Sequence, residues 1–84
     1  MDESNTLLRR EMTTVVKNQI RQNDPPETKQ TYDRLIKEGF PEEEVMRKLA
    51  LVVAAEVYDI MKSNKPFNHT QFIKRLNDLP QEPE

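Results

Sequence analysis

The sequence predicts an all-α fold, a compact four-helix domain with the third helix at its centre. Three observations predict it. Apolar residues recur at helical spacing in four stretches, and prolines at 25–26, 41, 66, 80 and 83 separate those stretches. The chain also has a single glycine, Gly39, too few for the many turns of an all-β fold. At 84 residues it is one domain, expected over 5–79, with 1–4 and 80–84 as mobile tails.

The first helix is expected from about Thr6 to Arg21. Leu8, Met12, Val15, Val16 and Ile20 share one face of it. Arg10, Lys17 and Arg21 line the opposite side.

The second is expected from about Pro26 to Glu38, with Tyr32, Leu35 and Ile36 inward. Asp24, Pro25, Pro26 and Glu27 read as a capping box with proline at the first helical position. Gly39 can then adopt the left-handed conformation, and Phe40 can fold back onto Leu35 as in a Schellman motif.

The third is expected from Pro41 to Lys62. Glu42, Glu43 and Glu44 sit in its first turn, where the helix dipole favours negative charge. Its centre, Leu49 to Ala55, is apolar nearly all round, so it needs cover on more than one side. Asn64 and Pro66 stop it.

The fourth is expected from His69 to Asp78, with Phe72, Ile73 and Leu76 inward. Asn68 is the cap, Gln71 completes a capping box, and Phe67 and Phe72 form a hydrophobic staple.

Composition narrows the function. A net charge of −2 gives no whole-protein attraction to nucleic acid or to an anionic membrane. The absence of cysteine rules out disulfides, thiolate catalysis and zinc-finger sites. The longest apolar run is too short to span a bilayer, and the polar, acidic N-terminal stretch does not read as a signal peptide, so the expected location is cytoplasmic. One histidine, His69, no His-containing metal motif and no glycine-rich phosphate loop lead to the expectation of a non-enzyme without a cofactor or metal.

Glu56 is the most informative position. It projects onto the same face as Leu49, Val52, Val53 and Ile60, and a carboxylate there must be paired, hydrogen-bonded or protonated. The sharper reading is a small-ligand or catalytic site. The plainer and favoured one is a structural pair with Lys17, Arg21, Arg34, Arg75 or Tyr32.

The basic side of the first helix admits a nucleic-acid partner, but it is a small field with no stacking aromatics, and a solvated face is the favoured reading. Leu51 and Tyr58 project on a different side of the third helix from Glu56. Left uncovered, they would form a self-association surface. The leading expectation is therefore a protein–protein interaction module, in the simplest case a homodimer.

Pro25, Pro26, Tyr32, Leu35, Gly39, Glu42 to Glu44, Glu56, Pro66, Phe67, Leu79 and Pro80 together resemble the pattern of a family of small bacterial helical proteins classed as a domain of unknown function. The resemblance covers roughly residues 15–80. It implies a bacterial, helical, cytoplasmic protein and supplies no activity. Some members of that group carry histidines in the first and third helices. Here the third helix has Lys48 and the first has none, so no metal site carries over.

Overall fold

The computed structural model describes the backbone of residues 3–83 and the side chains of residues 10–83. It contains four helices in the predicted order: α1 (Glu3–Gln22), α2 (Pro26–Lys37), α3 (Glu42–Ser63) and α4 (His69–Asp78). Among the described residues there is no strand. Since α1 begins at Glu3, residues 3 and 4 are helical rather than part of a tail.

The longest helix, α3, is central, packing against α1, α2 and α4. It supplies half of the core: Val45, Leu49, Ala50, Val52 and Val53 join Val16 of α1, Leu35 of α2, Phe72 and Leu76 of α4, and Leu79. Met12, Ile20, Tyr32, Phe40 and Met46 pack around this cluster half-buried. Two residues expected inside lie at the rim, Val15 and Ile36, each 38% exposed. A chain of this size has a thin core, and the apolar arcs of α1 and α2 are wider than the seams they fill. Leu8 lies outside the described side chains.

The helix ends explain why the chain turns where it does. At the end of α2, the Gly39 amide donates to the Ile36 carbonyl at 3.0 Å and the Phe40 amide to that of Leu35 at 3.2 Å. With Gly39 at φ +104°, this is the expected Schellman closure.

The end of α1 repeats the pattern with Asn23 at φ +53°. The Asn23 amide donates to Ile20 and the Asp24 amide to Gln19. Asp24 therefore closes α1 and does not open α2, so the expected capping box is absent. Pro25 occupies the cap of α2 with no side-chain hydrogen bond, and Oε1 of Glu27 is buried without a hydrogen-bond partner among the described residues.

α4 starts largely as predicted. Asn68 Oδ1 accepts from the Gln71 amide at 3.0 Å, and the Phe67 and Phe72 rings lie 5.6 Å apart as the staple. Only half of this box forms, since no return bond from the Gln71 side chain occurs among the described residues.

The helices are also joined by polar contacts. Thr28 of α2 donates to Gln19 Oε1 of α1 at 2.9 Å, and Arg34 of α2 donates to the Leu76 carbonyl near the end of α4 at 3.2 Å. Tyr32 keeps its hydroxyl protonated to higher pH than usual, chiefly through burial and then through the Glu42 carboxylate.

Candidate functional site

The polar groups with most structural consequence gather on the α3–α4 side. Glu56 is 3% exposed on the inward arc of α3. Of the five partners its sequence position allows, it meets Arg75 of α4, whose Nη1 donates to Glu56 Oε1 at 2.7 Å. The other arm of the same guanidinium, Nη2, donates to Asp59 Oδ2 at 2.8 Å. Burial alone would lower the Arg75 pKa. The bonds and charges of Asp59 and Glu56 outweigh it and raise the pKa instead, so Arg75 remains a cation. The cluster is a fork bridging two helices, with the buried carboxylate occupied by its partner.

A second cluster was not anticipated. Lys48 is 7% exposed, and its ammonium lies 2.8 Å from Glu82 and 3.8 Å from Glu44. It also sits 5.4 Å from the Phe40 ring centroid. Arg47 donates to Glu82 at 2.7 Å and to Glu44 at 3.2 Å. Glu82, expected in a mobile tail, is thus bound by two cations of α3. Leu79 is buried, and the Gln81 amide closes a turn on the Asp78 carbonyl. The segment after α4 folds back across α3 because the apolar anchor of Leu79 brings Glu82 within reach of a prepaid pair of positive charges. The Lys48 and Arg47 bonds hold the Glu82 carboxyl below the usual carboxylate range, against the opposing effect of burial.

The projection that singles out Glu56 also places Lys48 beside Val45 and Val52, so its burial had a sequence signal. A lysine stem lies readily along an apolar face, which makes that signal easy to discount.

Between these clusters runs an open groove. Leu51, Ala54, Ala55 and Tyr58 of α3 line it, with Arg75 and Pro83 on its far side. Leu51 is half-buried, Tyr58 is 61% exposed, and one turn further Met61 is 79% exposed. Val57 is exposed alongside them. α4 borders the groove through Arg75, and among the described residues nothing covers Val57, Tyr58 and Met61.

Arg10, Lys17 and Arg21 of α1 are all exposed and, at about 100° per residue, stand in one row. Arg21 bonds to Asn18 at 2.8 Å, and no described carboxylate pairs with any of the three. No aromatic residue lies in α1. The row is remote in sequence from both ionic clusters and takes part in neither.

No group of three or more potential metal ligands occurs among the described residues, and no described helix is long and apolar enough to cross a membrane. No family model, no curated protein and no solved structure matches the chain. The likeness to a bacterial helical family therefore rests on the residues quoted for it.

Proposed function

We propose that this protein is a non-enzymatic interaction module that associates with a second copy of itself through the outer face of α3. The observation that carries the reading is the exposure of Tyr58 and Met61 beside Leu51, Ala54 and Val57 on the most apolar helix of the chain. A contiguous apolar stripe on a small domain is a feature of interaction surfaces, whereas single exposed apolar residues are not. Tyrosine and methionine are also enriched at interfaces, because they fill area while adapting to the partner.

The polar clusters support the same reading. The Glu56 carboxylate is engaged by Arg75 and almost wholly buried, which suits a structural tie between α3 and α4 better than a ligand site. The α1 row of Arg10, Lys17 and Arg21 is a weaker basis for nucleic-acid binding, with three cations and no stacking ring. The resemblance implies a bacterial, cytoplasmic setting, in which a module of this kind acts through its partner.

Light scattering over a range of concentrations tests the reading. The expected result is a mass that rises to twice that of the chain. A mass that stays at one chain up to millimolar concentration would exclude self-association.

A further inference from the structure

We infer that the two copies meet with their α3 helices antiparallel about a twofold axis passing between Val52 and Val53. The inference rests on the self-association reading above and adds the orientation and register of the pair.

The charges along α3 are the first argument. At the N-terminal end of the stripe stand Glu43 and Glu44, and at the other end Lys62, followed by Lys65 just beyond the helix. Glu43, Lys62 and Lys65 are exposed, and none has an ion-pair partner among the described residues. A parallel pairing would set acid against acid and base against base. An antiparallel pairing sets the acidic end of each copy against the basic end of the other, and it also opposes the two helix dipoles favourably.

A twofold interface uses the same patch on both copies, so every contact must be complementary to its own mirror position. One register meets this requirement at three places together. It brings Glu43 opposite Lys62, Arg47 opposite Tyr58, and Leu51 opposite Ala54. The three pairings are respectively an ion pair, a guanidinium already bonded to Glu44 and Glu82 set beside the Tyr58 ring, on which Lys62 of the same chain lies at 5.8 Å, and a large residue against a small one. All six residues lie within an arc of about 100° on α3, so one helix face carries the whole set. Ala54 and Ala55 near the axis leave room for the backbones to approach.

Charge reversal tests the register. Glu43→Lys alone sets like charges together twice per dimer, and so does Lys62→Glu alone. Each should weaken dimerisation about tenfold in sedimentation equilibrium. An equimolar mixture of the two variants forms a heterodimer in which both pairs are opposite in sign, and it should recover wild-type affinity. Both positions are exposed and free of ion pairs among the described residues, and unchanged helical circular dichroism checks the folds.

Cross-linking gives a second readout, clean because the chain has no cysteine. Glu43→Cys mixed with Lys62→Cys should be joined by a short bismaleimide, while neither variant should join to itself. The residues are roughly 28 Å apart along one helix, which puts the same-residue pairs out of reach.

A wild-type dimer whose affinity ignores both reversals, or a Glu43→Cys chain that cross-links to itself, would overturn the antiparallel register and leave self-association standing. A wild-type monomer would overturn both.

Discussion

Arg75 and Glu56 form an ion pair of unequal burial: the Nη1–Oε1 distance is 2.7 Å, and the side chains are 20% and 4% exposed respectively. The inequality decides what each substitution does. Arg75→Met leaves the Glu56 carboxylate buried without its cation and should cost about 3–5 kcal/mol. Glu56→Leu leaves Arg75 with Asp59 and with partial access to water, and it should cost about 1–2 kcal/mol or less. The double variant should be more stable than Arg75→Met alone. Urea unfolding of the four proteins as a double-mutant cycle measures all of this. Equal costs for the two single changes would mean that the pair does not link α3 to α4 as described.

Leu49 is 1% exposed at the middle of α3 and belongs to the core cluster. Leu49→Ala should destabilise the domain by about 2–5 kcal/mol, through lost transfer energy and the cavity left behind. A thermal melt displaced by no more than a degree would contradict the central position of α3.

Glu82 makes stability sensitive to acid. Its carboxyl titrates below the ordinary value because Lys48 and Arg47 bond to the ionised form. A folded value below the unfolded one gives stabilisation that is present above the unfolded value, about 4.3 for glutamate. It disappears as the pH falls through the folded value. Glu82→Gln should therefore be about 1 kcal/mol less stable than wild type at pH 7. The difference should narrow once the pH falls below the unfolded value and close below the folded one, where the wild type also loses the charge. Melting temperatures of the two proteins between pH 7 and pH 3 give the comparison. A gap that is constant with pH would assign the loss to packing and not to charge.

The fold was legible in the sequence because its signals are local. Gly39 with Phe40 closes α2, Asn68 with Phe67 and Phe72 opens α4, and the apolar spacing of α3 marks it as the central helix. Each of these depends on residues a few positions apart. The misreading at Asp24 has the same origin. Its side chain suits the start of α2, but its backbone amide is used by the Schellman closure of α1, and two motifs overlapping at one residue compete in a way that residue type does not reveal.

The candidate site was legible in part. Periodicity put Glu56 inside and Tyr58 on a different side of α3, and Arg75 was among the partners open to Glu56. The attachment of Glu82 to Arg47 and Lys48 was not legible, because those residues are 34 and 35 positions apart in sequence and meet only after Leu79 has packed. A polar segment ending in proline and glutamate carries no mark of a distant partner.

The proposed self-association surface centres on Tyr58, so the most direct measurement is sedimentation equilibrium of the wild type beside Tyr58→Lys, with thermal melts of both. Because Tyr58 is 61% exposed, the change should leave the fold stable within about 0.5 kcal/mol, once melts are compared at concentrations where both proteins are monomeric. The account predicts a wild-type dimer and a Tyr58→Lys monomer of unchanged helicity, since the new ammonium would face the partner's Arg47. A variant that associates as strongly as the wild type would contradict it.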